Sequence, residues 1–480
     1  MLRQTKIIAT LGPATDDPAV LGKLIEAGVD VVRLNFSHGG AEIQRRRAQA
    51  VRKCAQSHKR HVGVLVDLQG PKVRIGRFRD GSIDLQEGDN FILDAELPLD
   101  QGTGERVGIT YKGLVEDVRR GTTLLLDDGH IVLWVDQVRG LEVCCRVVNG
   151  GELADSKGIN LQGGGLSAEV LSEKDRADII TAAEIEADYL GVSFIRSAAD
   201  VNEARELFHG AGASGGVVAK IERAEAVDAI DEIIEATDAI MIARGDLGVE
   251  IGDAALPPIQ KRIIKRTREC NKVAITATQM MESMIKSAIP TRAEVSDVAN
   301  AVLDGTDAVM LSAETAIGNH PVAAVSAMDR VCRETEKQHE TRWSRERRDI
   351  AFERVDEAIA MAVMYSANHM PVRAIAALTE SGATALWMSR VSSAVPIYAM
   401  TPHEQTCRKV ALFRGVYPVS FVLPGTDPAQ IMRQAVDTLR SLGAVREADL
   451  VILTIGEPLQ APGGTNSMRI VRVGTLPNKN

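Results

Sequence analysis

Residues 217–246 read VVAKIERAEAVDAIDEIIEATDAIMIARGD. Val217–Glu222 is a short apolar run of strand length, a helical stretch follows it, and Ala239–Ala243 is a second such run that ends on Arg244-Gly245-Asp246. Strand, helix and strand within about 22 residues form the unit from which parallel α/β sheets are built. The pattern extends both ways: Lys6–Thr10, Val31–Asn35, Val62–Asp67 and Tyr189–Phe194 come before, and Val273–Thr276 and Ala308–Leu311 come after. Eight β-then-α units predict a closed (β/α)8 barrel, the TIM barrel, with its chemistry at the C-terminal ends of the strands.

One interval breaks the rhythm. Between the third and fourth strands lie about 120 residues, far beyond an ordinary connection. This gap holds short alternating segments, Ser82–Gln86, Asn90–Leu93 and Val107–Tyr111, and the pair Thr123–Asp127 and Ile131–Val135 around a hairpin signal, Asp128-Gly129. It predicts a small inserted β-barrel domain, residues 70–166, placed as a lid over the barrel mouth. The catalytic barrel then comprises residues 1–69 and 167–340. After a charge-rich run at 341–354 (TRWSRERRDIAFER), read as a solvated linker, helices and strands alternate from Val355 to Thr454 and predict a C-terminal α/β layered domain, residues 341–480. The expected strands there are Arg373–Leu378, Ile397–Met400, Val419–Val422 and Leu450–Thr454.

Composition narrows the function. A net charge of −9 and 3% aromatic residues exclude a basic or stacking face for nucleic acid. The N-terminus lacks a signal-peptide pattern and no apolar run is long enough for a bilayer, which predicts a soluble, cytoplasmic protein. Six cysteines form no C-x-x-C pair and no zinc spacing, as expected of reduced thiols. No G-x-x-x-x-G-K-[ST] and no G-x-G-x-x-G occurs. A small-molecule site remains.

The strand ends supply one: Arg33, Asn35 and Ser37 after strand two, Asp67 after strand three, Lys220 and Glu222 after strand five, Arg244, Gly245 and Asp246 after strand six, Thr278 and Gln279 after strand seven, and Ser312 and Glu314 after strand eight. Alone, Lys220 and Glu222 are equally a structural ion pair, Arg33 a surface salt bridge, Asn35 and Ser37 turn residues and Thr278 a helix N-cap. Converging at one barrel end, Glu222 and Asp246 describe a Mg²⁺ site. Gly245 ahead of a helix suits a substrate carboxylate, Arg33 a phosphate, and Lys220 the charge that develops during transfer. The residues thus predict Mg²⁺-dependent chemistry on a small phosphorylated carboxylate.

With these residues in view, the chain closely resembles the pyruvate kinase family, bacterial type. The resemblance rests on TKIIATLGPAT, VVRLNFSHG, DLQGPKVR, VAKIERAEA, ARGDLGVEI, TATQMMESM, PTRAEVSDVANAVLDGTDAVMLSAETA and TESG, in the family's order from Thr5 to Gly382. It implies a glycolytic phosphotransferase that moves the phosphoryl group of phosphoenolpyruvate to ADP, giving pyruvate and ATP. By motif, Arg33, Lys220 and Thr278 resemble catalytic residues, and Arg33, Gly245, Asp246 and Thr278 resemble the substrate site. Glu222 and Asp246 resemble the Mg²⁺ or Mn²⁺ ligands, and Arg74 and Lys157 the ATP/ADP contacts. Asn35, Ser37, Asp67 and the carbonyl of Leu68 match the monovalent-cation site. The resemblance also implies a homotetramer.

Two positions depart from the family pattern. The lid hinge reads Leu68-Gln69-Gly70-Pro71-Lys72 where many members have Thr-Lys-Gly-Pro-Glu, and members with Lys at the Lys72 position tend not to require K⁺. An ammonium there supplies the positive charge the ion would bring. The expectation is an enzyme that keeps the K⁺ ligands without needing K⁺. In the C-terminal domain the effector loop, Thr379, Ser381, Gly382 and Thr384, carries Ala383 where a basic residue often meets a phosphorylated activator. A sugar-phosphate or nucleotide effector is therefore expected to bind weakly. Two other readings compete: a lyase of the phosphoenolpyruvate/pyruvate barrel group, opposed by the lid with Lys220, Arg74 and Lys157, and a catalytically dead regulator, opposed by the intact Arg33, Lys220, Glu222, Asp246 and Thr278.

Overall fold

Val-, Ile- and Ala-rich runs pair where the spacing predicts. The computed structural model describes residues 2–338, 352–456 and 464–475, and the charge-rich run 341–354 lies outside these but for its last three residues. Lys6–Leu11, Val31–Asn35, Gly63–Asp67, Tyr189–Val192, Gly216–Ile221, Ala239–Ala243, Val273–Ala277 and Ala308–Leu311 form one closed parallel barrel. The ring closes where Lys6 pairs with Ala308. The strands are buried along their whole length, Val31–Asn35 alone having two half-buried residues, Arg33 and Asn35, which is why continuous apolar runs marked them. Helices between them start on local signals: Ser172 caps Glu173–Glu184 and Thr291 caps Arg292–Leu303, each in a reciprocal capping box.

The insertion folds as two sheets, one of two strands and one of six, around an apolar cluster that includes Phe91, Leu93, Leu124, Leu133 and Val143. Three of its strands, Glu142–Asn149, Gly151–Ala154 and Ile159–Leu161, were not among the predicted segments. Glu142–Asn149 forms a hairpin with Ile131–Arg139 next to it, whereas Gly151–Ala154 and Ile159–Leu161 are short and pair with partners distant in sequence rather than by a local pattern. Gly70, at the entry to the lid, takes φ +67°, and a Cβ there would meet the Ser193 Cβ at 2.8 Å. Only glycine lets the hinge lie this close to the turn after the fourth barrel strand.

Five strands make the C-terminal sheet, four of them parallel, and Thr465–Arg472 closes one edge antiparallel to Leu450–Gly456. This last strand was not predicted, because its polar residues (TNSMRIVR) mask a half-exposed edge. The strand expected at Val419–Val422 instead spans Val416–Ser420, since the ladder starts where Val416 meets Ile397. The floor of the barrel and this domain share one core: Ile8, Val31, Leu65 and Met310 belong to the same buried cluster as Ile375, Met388 and Phe413.

Candidate active site

Side-chain parity decides what the barrel presents at its mouth. Val218 packs in the interior cluster with Val31, Leu65, Tyr189 and Met310, whereas Val217, Ala219 and Ile221 pack outward against the helices. A period of two residues then puts Lys220 and Glu222 on the Val218 side. By the same step Arg33 follows Val31, Asp67 follows Leu65, Ser193 follows Tyr189 and Ser312 follows Met310.

Lys220 Nζ lies 2.8 Å from Glu222 Oε1 and 3.1 Å from Asp67 Oδ1, and donates to Ser193 Oγ at 2.6 Å. Arg33 Nε donates to Asp67 Oδ2 at 2.6 Å, and its Nη1 reaches Thr10 Oγ1 at 3.2 Å. Lys220, Asp67 and Glu222 are all buried, so each charge requires its partner. Burial works to lower the Lys220 ammonium, but Asp67 and Glu222 outweigh it and hold it above the ordinary lysine range. Burial works to raise the Asp67 carboxyl, yet Lys220 and Arg33 keep it below the usual carboxylate range. Glu222 goes the other way: burial raises it, Lys220 opposes, and the Asp246 charge raises it further.

Asp246 sits in the first turn of the helix Arg244–Ile251, on which Gly245 N donates to Thr278 Oγ1 at 2.8 Å. Thr278 Oγ in turn donates to the Ala277 carbonyl at 2.7 Å. Lys72, on the lid hinge, brings Nζ to 3.5 Å from Asp246 Oδ1. Arg33, Asp67, Lys220 and Glu222 thus form one chain of contacts, and Lys72 and Asp246 a second pair. The effect of Asp246 on Glu222 means that two carboxylates face a shared space, and a divalent cation there would relieve their repulsion. Hard oxygen donors suit Mg²⁺ or Mn²⁺. Among the described residues no group of three or more His, Cys, Asp or Glu is set to hold a metal. Mg²⁺ held by one or two carboxylates, with water and phosphate oxygens completing the shell, needs none.

Asn35 and Asp67 are register partners on adjacent strands. The Asn35 Oδ1 accepts from Ser37 N at 3.0 Å, and the Leu68 carbonyl accepts from Ser193 Oγ at 2.8 Å, so the four proposed monovalent ligands cluster but are partly engaged. Arg74 bridges Gly158, next to Lys157, and donates to the Ser156 carbonyl at 2.7 Å, while Lys157 pairs with Asp127 at 2.7 Å. These two cations therefore stand together on the lid. In the C-terminal loop, Gly382 takes φ +85° and its N–H donates to Thr379 Oγ1 at 2.9 Å. The Thr384 hydroxyl is buried against Thr465 Oγ1 at 2.6 Å, Ser381 is exposed, and Glu380 adds a carboxylate paired with His403 at 2.6 Å.

Some participants went unassigned in the sequence. Ser193, which holds Lys220, stands at the end of a strand whose polar tip was not read, and the parity rule finds it. Glu314 accepts from Ser312 N at 2.7 Å and Met281 N at 3.1 Å, joining the turns after strands seven and eight. Arg244, its side chain 7% exposed, turns away from the mouth, a direction that parity at a strand-to-helix junction does not give.

Comparison with known proteins agrees across the chain. A family model described as pyruvate kinase, barrel domain, matches residues 2–325, and one described as pyruvate kinase, alpha/beta domain, matches residues 357–471. The chain is 54% identical to pyruvate kinase II of Salmonella typhimurium over 98% of this chain and 99% of that one. It is 52% identical to the pyruvate kinase of Haemophilus influenzae over 95% and 96%, and 42% identical to that of Geobacillus stearothermophilus over 99% of this chain and 81% of the relative.

Proposed function

This chain belongs to the pyruvate kinase family, and we propose that it transfers the phosphoryl group of phosphoenolpyruvate to ADP in glycolysis. The observation that carries this reading is Lys220, an ammonium held charged at the barrel mouth by Asp67, Glu222 and Ser193. In the step, the bond between phosphorus and the enol oxygen breaks as a β-phosphate oxygen of ADP bonds to phosphorus. The enolate left behind takes a proton to become pyruvate.

Arg33 and Lys220 meet the phosphoryl oxygens, and the Lys220 charge counts most while the group is between donor and acceptor. Gly245 and Thr278, whose N–H and hydroxyl oxygen are bonded to each other at 2.8 Å, meet the substrate carboxylate, which takes over the Gly245 N–H and the hydroxyl proton otherwise given to the Ala277 carbonyl. Glu222 and Asp246 would hold Mg²⁺ or Mn²⁺, which when bound neutralises charge on the phosphate oxygens. Arg74 and Lys157, adjacent on the lid formed by residues 70–166, meet the nucleotide when the lid closes. Lys72, 3.5 Å from Asp246, supplies the positive charge that K⁺ brings elsewhere, so an ion on Asn35, Ser37, Asp67 and Leu68 is dispensable. The loop of Thr379, Ser381, Gly382 and Thr384 takes a sugar phosphate or nucleotide weakly: Glu380 brings negative charge, and Thr384 is already paired.

We read the working form as a cytoplasmic homotetramer. Exposed Ile289 and Ile317 on the barrel, and Val355, Tyr365 and Ile470 beside the edge strand Thr465–Arg472, support self-association. Among the described residues no helix is long and apolar enough to cross a membrane.

The test is pyruvate formation from phosphoenolpyruvate, coupled to lactate dehydrogenase, with and without ADP and Mg²⁺. ADP-dependent turnover is expected, and turnover without ADP would replace the kinase with a lyase or phosphatase. Lys220→Met is expected to lower kcat by about 10³-fold or more with KM moving less than about 10-fold. A raised KM at normal kcat would make Lys220 a ground-state binder instead.

A further inference from the structure

The turn after the seventh barrel strand is held in an unfavourable shape. Thr278 has φ +65° and Gln279 φ +52°, two consecutive side-chain-bearing residues in the left-handed region. For a β-branched residue such as threonine this conformation is strained, and strain of this kind persists only where surrounding contacts impose it. One side chain supplies most of those contacts. Arg244 Nη2 donates to the Thr278 carbonyl at 2.7 Å and the Gln279 carbonyl at 3.1 Å, and also reaches Met280 Sδ at 2.9 Å. Its Nε lies 3.2 Å from the Thr278 carbonyl and 3.3 Å from that of Ala277. Nη1 is anchored by Asp297, on the helix Arg292–Leu303, at 2.8 Å.

A planar guanidinium can gather three successive carbonyls and a carboxylate at once, and a lysine ammonium cannot. The carbonyls come together because both residues are left-handed. The same conformation sets the Thr278 hydroxyl on the N–H of Gly245, the residue immediately after Arg244. The start of the helix Arg244–Ile251 therefore carries both the N–H bonded to the Thr278 hydroxyl oxygen and, one residue earlier, the side-chain clamp on the turn that bears that hydroxyl.

We propose that Arg244 is a positioning residue for the transfer reaction. It acts through the Thr278 turn to fix the pair of donors, Gly245 N–H and Thr278 hydroxyl, that receives the carboxylate of phosphoenolpyruvate. The inference rests on the reading of Gly245 and Thr278 given above. It assigns Arg244 no contact with substrate, and the phosphoryl end, served by Arg33 and Lys220, is left untouched.

Steady-state kinetics of Arg244→Lys, Thr278→Ala and the double variant test this. Arg244→Lys is expected to lower kcat/KM for phosphoenolpyruvate by about 10²-fold, the scale of a misplacement near 1 Å, while the KM for ADP stays put. In the Thr278→Ala background the same change should cost less than about 3-fold, because the two residues act as one unit. Asp297→Asn, which weakens the anchor and leaves the guanidinium in place, should raise the KM for phosphoenolpyruvate several-fold and carries the test if Arg244→Lys does not fold. Equal losses with and without Thr278, a parallel rise in the KM for ADP, or unchanged kinetics in both Arg244→Lys and Asp297→Asn would overturn the assignment. Wild-type kinetics in Thr278→Ala would instead overturn the carboxylate site itself.

Discussion

The proposed independence from K⁺ rests on one side chain, Lys72, and is open to a single substitution. Its stem leaves the hinge at Pro71, passes within 3.3 Å of where a side chain on Gly158 would begin, and delivers the ammonium beside Asp246. The charge is tethered, so it sits beside the carboxylates whatever the salt. Activity in tetramethylammonium buffer with Mg²⁺ is therefore expected to match that in about 100 mM K⁺ at equal ionic strength. Lys72→Glu should lose activity by orders of magnitude in tetramethylammonium and regain most of it with K⁺, as a third carboxylate would then join Glu222 and Asp246 where one lysine stood. A wild-type enzyme that gains orders of magnitude from K⁺ would refute the substitution. The identity of residue 72 could be read from sequence, and its reach to Asp246 could not. That depends on the Gly70 backbone and on how the lid sits, neither of which follows from a local pattern.

Among elements, the helix Arg244–Ile251 links the chemistry to the lid. Its first turn carries Gly245 and Asp246, and near its end Glu250, 3% exposed, accepts from Ala224 N at 2.9 Å. The Glu250 carbonyl accepts from Gly163 N at 3.0 Å, where the chain returns from the lid. A small cavity of about 20 Å³ here is lined by Lys72, Asn160, Arg223 and Glu250 among others. Burial pushes the Glu250 carboxyl up to about 7, against the Ala224 bond and the nearby Arg223, with Glu225 adding to the rise. The folded protein thus keeps a proton that an unfolded carboxyl gives up near pH 4.3. Stability from this group is full below that pH and falls as pH rises towards 7, by up to roughly 4 kcal/mol at about 1.4 per unit. Glu250→Gln should remove the fall. Thermal melts from pH 5.5 to 8 are expected to show wild type dropping by a few degrees relative to Glu250→Gln, and parallel curves would contradict the burial argument. The strands at the ends of this network explain what the sequence concealed. Barrel strands repeat with their helices and were legible to within two residues, whereas Ile159–Leu161 is three residues long and is defined only by pairing with Thr123–Leu126.

Across the whole molecule, the barrel and the C-terminal domain are joined by charge as well as by apolar packing. Arg390 and Asp307 form an ion pair in which both side chains are fully buried, and Arg390 Nη1 lies 2.9 Å from Asp307 Oδ2. Asp307 also accepts from Ala274 N at 2.9 Å and Arg414 N at 3.2 Å. None of these partners is near another in sequence, so neither composition nor periodicity announces the joint. Arg390 ends the short helix Ala383–Ser389 that starts at the Gly382 loop, and Asp307 opens the strand Ala308–Leu311 that leads to Ser312. The joint therefore lies between the two ends of the molecule to which function is assigned. Burial works to raise the Asp307 carboxyl, but Arg390 outweighs it and holds it below the usual range. The pair's contribution is accordingly present above about pH 4, the unfolded value, and is lost as pH falls through the lower folded value. Removing one partner leaves a charge buried without its counterion, at a cost of about 3–5 kcal/mol. Arg390→Met is therefore expected to lower the melting temperature and, in calorimetry, to split one transition into separate melts of the C-terminal domain and the barrel. The double variant Asp307→Leu/Arg390→Met should recover part of the loss, since no charge is then buried unpaired, while the N–H groups of Ala274 and Arg414 lose their acceptor. If Arg390→Met melts within about 1 °C of wild type in a single transition, the apolar cluster of Ile8, Met310 and Met388 alone holds the two domains together.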